Sequence, residues 1–231
     1  MNKKYMDMSS PLDRFSEQEV LEGYVAQFDE DEFYVHGEQV LEMMGRGASY
    51  SSMVLLTLTG ELAEAAQVAR FERALQLCAM MDIAETPCHV ARLARVQRAE
   101  SHNVASAACI SLANRARSIL DHTHELQVWL EVPDSELPMT REQRLGAGQF
   151  VKGALRGFND RELVLLQHYN PSLDECVVAL LHVSGLTERW QKEAALTMAG
   201  LPLAMAEAFF APARLKDYPV NVPEFEYVHE V

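Results

Sequence analysis

The chain has 231 residues, 48% of them hydrophobic, with 34 acidic against 20 basic side chains and a formal charge of −14. That is ample material for one compact core, and the acidic balance argues against nucleic acid as a partner, because neutralising phosphates needs a basic surface. No apolar run is read as reaching bilayer length, and Met1-Asn-Lys-Lys is followed by Tyr5-Met-Asp-Met-Ser-Ser rather than an apolar signal core. The expectation is a cytoplasmic protein without a membrane segment.

In chain order, residues 1–12 read as a flexible arm ending at Pro11, and Ser16-Glu-Gln-Glu19 as a capping box opening a short helix through Val25. The acidic run Asp29-Glu-Asp-Glu32 reads as a solvated face and Phe33-Tyr-Val-His-Gly37 as extended chain. Ser49 and Ser51 offer caps for a buried helix through Met53-Val-Leu-Leu-Thr-Leu58, which Gly60 stops. From Ala63 to Met81, Val68, Phe71, Leu75 and Cys78 recur at helical spacing, leaving Arg70, Glu72 and Arg73 mostly outside. Thr86-Pro87 is an N-cap with proline at the first helical position, opening a helix through Val90, Leu93 and Val96. Ser101 to Leu120 carries Ala105, Ala107, Ala108 and Ser111, small enough to let another backbone approach, so a central or interface helix is expected.

Asp121 to Pro138 is polar and reads as a connection. Thr140-Arg-Glu-Gln143 opens a helix to about Arg156, ended by Gly157, and Ser172-Leu-Asp-Glu175 opens one through Val177 to Val183, closed by Gly185. Two more helices are expected from Thr187 to Ala199 and from Pro202 to Ala213, split at Gly200-Leu-Pro202, before an extended tail over 218–231. Cys78, Cys88, Cys109 and Cys176 are scattered without a C-x2-C pair and read as buried free thiols. The fold class is therefore all-α: one helical domain over 13–217, flanked by the arm and the tail.

His36-Gly37-x3-Leu41, Tyr50, Leu55-Leu56, Gly60-Glu-Leu62, Phe71 and Leu75 together resemble the opening motif of the citrate synthase family, with Ala63 where that motif has proline. Gly200-Leu-Pro-x2-Met205-x4-Phe210-Ala-x-Ala213-Arg214 is similar in register to the family's GIP-x2-M-x4-FA-x-AR helix, and Pro223-x3-Tyr227 to its C-terminal P-x3-Y. The resemblance implies a citrate-synthase-like helical domain, a homodimer packed through the small-residue helix, and a CoA thioester as ligand without any other cofactor. The chain is shorter than the family's usual length.

The family's reaction joins an acyl-CoA to an α-keto acid, or reverses that joining, and needs a base, an enolate donor and a carbonyl donor. The resemblance assigns the enolate donor to the histidine of H-G-G-A, the carbonyl donor to the histidine of G-F-G-H and the base to the aspartate of N-V-D. At those positions stand Arg115-Ala-Arg117, the Asp160 of Gly157-Phe-Asn-Asp160, and Arg189 with Glu188 beside it. A carboxylate donates no hydrogen bond and a guanidinium is no base. His122 and His124 are the nearest substitutes for the enolate donor, though two histidines in a polar connector read more readily as exposed bystanders. Asp121-His-Thr-His124 has good metal-ligand types but no further ligand at fixed spacing, so no metal is assigned. Arg214 corresponds to a family arginine that holds a substrate carboxylate, a job a C-terminal helix arginine satisfying carbonyls would mimic. Glu224 beside Pro223 reverses the sign expected near the P-x3-Y motif. Arg92, Arg95 and Arg98 form a basic row suited to CoA or to plain solvation.

Three functions follow from this reading. The first is a non-catalytic relative that acts by binding, in a hetero-oligomer with an active homologue or as a sensor of acyl-CoA or carboxylate. The second is a divergent C–C bond synthase or lyase using His122, His124, Asp160 and Glu188 in rearranged roles. The third is a helical interaction module unrelated to the family.

Overall fold

In a computed structural model of the protein, residues 24–29, 32–82, 84–132, 153–168 and 171–211 are described. The chain divides into two units, 1–63 and 64–231, a boundary the sequence reading does not draw inside its 13–217 domain. The arm at 1–12, the capping box at Ser16, the one at Thr140, Arg214 and the tail at 218–231 lie outside the described residues.

In the first unit β1 (Ala26–Asp29), β2 (Glu32–Val35) and β3 (Glu38–Gln39) form an antiparallel sheet in that order, with Phe28 opposite Phe33 and Tyr34 opposite Gln39. His36 and Gly37 make the second turn at φ 49° and 82°, the mirror-image turn whose twist suits a hairpin. The extended chain expected at Phe33 is thus one strand of a small sheet in an otherwise helical protein. α1 (Val40–Gly45) and α2 (Tyr50–Thr59) follow. Ser49 alone caps α2, its Oγ accepting the Ser52 N–H at 3.2 Å, because Ser51 already lies inside the helix. Gly60 ends α2 at φ 78°, its N–H donating to the Leu56 carbonyl at 2.8 Å. Val35, Met43 and Leu56 form this unit's core, with Val40, Ala48 and Met53 against them. Tyr50 stays exposed, so α2 is buried at Leu55 and Leu56 rather than all round.

The second unit is helical: α3 (Ala65–Cys78), α4 (Thr86–Val96), α5 (Ser101–His122), α6 (His124–Glu131), α7 (Arg161–His168), α8 (Leu173–Val183) and α9 (Arg189–Phe210). α3 buries Phe71, Ala74, Leu77 and Cys78, the face its periodicity predicts. α4 starts one residue earlier than expected, with Glu85 at the N-cap and Pro87 in the first turn. α8 opens with the predicted capping box, Ser172 N–H to Glu175 at 2.6 Å and Glu175 N–H to Ser172 Oγ at 3.2 Å, and buries every residue from Glu175 to Leu181. Cys78, Cys88 and Cys176 are buried free thiols, while Cys109 is only half-buried.

α4, α5 and α9 pack on one another through Cys88, Ala91, Val104, Ala108, Ala204 and Ala208, and α3 packs on α8. The small side chains let the helix axes come close. At Gly200 there is no room for a side chain: a Cβ there would lie 2.4 Å from Leu112 Cδ2.

Two expectations are corrected. The polar stretch after Asp121 is no connector, because α5 runs on to His122 and α6 follows at once. Its apolar residues Leu126, Trp129 and Leu130 sit at helical spacing and are buried, a short stripe hidden among polar neighbours. The break at Gly200-Leu-Pro202 does not occur either, since α9 continues through Pro202. Proline inside a helix costs about 3 kcal/mol, but Pro202 is exposed while Ala195, Leu196, Gly200, Ala204 and Ala208 are buried on both sides of it, which outweighs the lost hydrogen bond. Read as one helix, α9 is also long and apolar enough to cross a membrane by length and composition, which the residue-by-residue reading had missed. Its contacts with α4 and α5 bury Ala204 and Ala208, and 28% of its most apolar window is buried.

Candidate functional site

The residues that stand at the expected catalytic positions all belong to the second unit, and each meets a partner from another part of the chain. Gly157 takes φ 94°, a conformation glycine adopts without strain, and turns the chain into Phe158-Asn159-Asp160 ahead of α7. Asp160 is met there by Arg70 of α3: Nε donates to Oδ2 at 2.8 Å and Nη2 lies 2.6 Å from Oδ1. The pair is bidentate and both side chains are under one-fifth exposed, at 18% and 17%. Arg73, one turn on, donates to the Ala154 carbonyl at 3.2 Å and stands 5.9 Å over the Phe158 ring. Arg70 and Arg73 are therefore not the solvated outer face of α3. They carry the 154–160 segment.

Between this loop and Ala66, Ala69 and Arg70 lies a groove of about 420 Å³. Its charge is balanced, since the guanidinium and carboxylate in its wall neutralise each other. The two Asp160 oxygens are already engaged, so Asp160 neither donates to a keto group nor serves as a free base. None of His122, His124 and Glu188 lines the groove.

Arg115, at the position expected for the enolate donor, sits in a polar pocket of the helix core. Its Nε donates to Glu85 Oε2 at 2.7 Å and its Nη1 to Cys78 Sγ at 3.6 Å, while Cys78 Sγ donates to the Leu196 carbonyl at 3.7 Å. Burial opposes the charge on Arg115, but Cys78 and Glu85 hold it protonated. Burial pushes the Cys78 thiol up against the pull of Arg115, which makes it an inert thiol at neutral pH. Asp174, in the first turn of α8, is the unforeseen member: burial pushes its carboxyl up, with Arg115 opposing. An acid in a first helical turn is explained by the helix dipole alone, so the sequence held no signal for this role.

Arg189, at the expected base position, donates through Nη2 to Asp121 Oδ1 at 2.7 Å and through Nε to Glu193 at 2.9 Å. The bond from Arg189 holds the Asp121 carboxyl below its ordinary range. His122, beside Asp121, donates from Nδ1 to the Ser118 carbonyl at 2.7 Å, and His124 is exposed at the start of α6. Glu188 is the N-cap of α9: its side chain accepts the Gln191 N–H, and its own N–H donates to Gln191 Oε1 at 2.9 Å. The four residues proposed for a rearranged active site thus have separate engagements, one in an ion pair, one in a cap and two at a helix junction. Among the described residues no three His, Cys, Asp or Glu side chains are grouped to hold a metal.

Of the basic row, Arg95 stands 4.9 Å over the Phe209 ring of α9 and Arg92 is half-buried, so both are tied into the helix packing. Arg98, at φ 64°, is exposed beyond the end of α4.

No protein-family model and no curated protein sequence matches the chain. Solved structures do. Citryl-CoA lyase from Hydrogenobacter thermophilus superposes with a TM-score of 0.60 at 14% identity, over 92% of this chain and 96% of that one. ATP citrate lyase from Methanothrix soehngenii, in complex with citrate and coenzyme A, gives 0.59 at 9% identity, over 94% of this chain and 45% of that one. An ATP citrate lyase variant from Methanosaeta concilii, in complex with (3S)-citryl-CoA, gives 0.54 at 9% identity with the same coverage. The chain therefore spans nearly the whole citryl-CoA lyase and less than half of the ATP citrate lyases, and its fold is citrate synthase-like.

Proposed function

We propose, for a chain with this citrate synthase-like fold, that it works by binding and not by catalysis, as a regulatory or structural partner of an active homologue or as a sensor of an acyl-CoA or carboxylate. One observation carries the reading. Arg115, Asp160 and Arg189, which the resemblance sets at the family's acid–base positions, are each spent in an ion pair within the chain, with Glu85, Arg70 and Asp121 respectively. Engaged groups of the wrong charge type supply neither a base nor a neutral donor. The fold then acts as a scaffold, with a CoA thioester as its ligand rather than its substrate. A cytoplasmic homodimer formed through α5, whose Ile110 is exposed, belongs to the same proposal.

The test is to incubate the purified protein with acetyl-CoA and oxaloacetate, and separately with citryl-CoA, while titrating acetyl-CoA calorimetrically with and without oxaloacetate. The reading expects no turnover in either direction. Saturable heat identifies a sensor, and its absence at millimolar ligand turns the search to protein partners. Turnover abolished by substituting Asp174 or Arg115 overturns the proposal.

That result would support the second reading, a divergent citrate synthase or citryl-CoA lyase-type enzyme. What favours it is Asp174 in the first turn of α8, whose carboxyl burial pushes up while the charge of Arg115 pulls it down.

A further inference from the structure

In a chain of formal charge −14, the C-terminal ends of α4 and α9 meet in a surface that is both basic and aromatic. Arg95, in the last turn of α4, stands 4.9 Å over the Phe209 ring, and Arg98 is exposed just beyond that helix. Phe209 is 42% exposed, and Phe210, the last residue of α9, is 92% exposed. Among the described residues neither guanidinium is in an ion pair, and the carboxylate that follows them in sequence, Glu100, is taken by His102 at 3.4 Å. The dipole of α4 accounts for arginines at its C-terminal end. It does not account for two phenylalanines left in water where Arg95 meets α9.

We propose that this surface is covered by the chain's own C-terminal segment, the acidic and aromatic stretch from Asp217 to Glu230. Ala211 leaves α9 in an extended conformation, φ −73° and ψ 150°, so the segment departs from the surface itself. From Asp217 onward it carries Glu224, Glu226 and Glu230, no lysine or arginine, and the aromatics Tyr218, Phe225 and Tyr227. Its carboxylates suit the two guanidiniums, and its rings suit Phe209, Phe210 and the cation above Phe209.

The tether makes such a contact feasible. From Ala211 to Phe225 the chain spans at most roughly 46 Å when fully extended, and a flexible link of that kind gives an effective concentration of about millimolar. Contacts too weak to hold two separate molecules therefore suffice within one chain. A second copy of the same surface fits less well, because its arginines would face these arginines, and nucleic acid is repelled by the chain's overall charge. The contact is independent of whether the protein binds or turns over an acyl-CoA.

The experiment uses the full chain with p-benzoylphenylalanine in place of Phe225, irradiated without ligand, and locates the crosslinked residue by mass spectrometry. The expected product is a bond within one chain to residues 92–98 or 205–210. Arg95→Glu with Arg98→Glu should lower its yield about tenfold, as should Glu224→Lys with Glu226→Lys, since either pair of reversals turns attraction into repulsion. All four substitutions together should restore it, because the charges are again complementary. A bond between two chains, a bond elsewhere in the chain, no bond at all, or a yield insensitive to the reversals overturns the proposal. Should the arginine variant fail to fold, Glu224→Lys with Glu226→Lys decides alone.

Discussion

Replacing Arg70 by methionine keeps the aliphatic stem on α3 and removes the guanidinium, leaving Asp160 more than four-fifths buried with neither of its two short contacts, 2.6 and 2.8 Å. Exposed ion pairs are worth about 0–1 kcal/mol, whereas stripping one partner from a buried pair costs about 3–5 kcal/mol. At 18% and 17% exposure this pair lies nearer the second limit, and we expect a loss of about 2–3 kcal/mol. Asp160→Asn, which abandons the cation instead, should cost about 2 kcal/mol. In the double variant neither charge is orphaned, so the losses should fall short of additive by about 1–2 kcal/mol. Urea midpoints for the four proteins close the cycle, provided the slope of unfolding free energy against urea is unchanged. Additivity within about 0.5 kcal/mol would refute the claim that Asp160 is held by Arg70 and is unavailable for chemistry.

Gly200→Ala gains about 1 kcal/mol of helix propensity but drives a methyl group into the fully buried Leu112, whose Cδ2 would lie 2.4 Å away. Overpacking costs about 1–3 kcal/mol, so the melting temperature should fall by a few degrees, and a rise would show that α5 and α9 have room to part. Ser172→Ala removes one arm of the α8 capping box and should lower stability by about 1 kcal/mol; an unchanged urea midpoint would mean water replaces the cap. Asp174 has a raised folded pKa, so the folded chain holds its proton the more tightly and stability declines as pH rises past about 3.9 towards the folded value. Asp174→Asn should therefore be the more stable protein at pH 7, with its advantage gone near pH 4, and a lower midpoint at pH 7 would contradict the burial argument.

The local signals in the sequence were reliable where one segment decides its own structure. Ser49 and Gly60 bracket α2, the Phe71 stripe marks the buried face of α3, and Ser172 with Glu175 opens α8, because caps and apolar period act within a turn or two of chain. Packing overrides those rules elsewhere. Pro202 has the local character of a helix break, but Gly200 and Ala204 are buried on either side of it, and the polar stretch from Asp121 to Val132 has that of a linker, but buries Trp129.

What the sequence determined by itself is a helical chain with the small-residue positions and motif spacing of a citrate synthase-like fold, and the absence of an H-G-G motif anywhere in it, since identity at a position needs no coordinates. What only the tertiary structure decided is how the replacements are used. Arg70 finds Asp160 across 90 residues and Arg189 finds Asp121 across 68. Charge pairing and desolvation depend on distance in space, and an unaligned sequence records only distance along the chain.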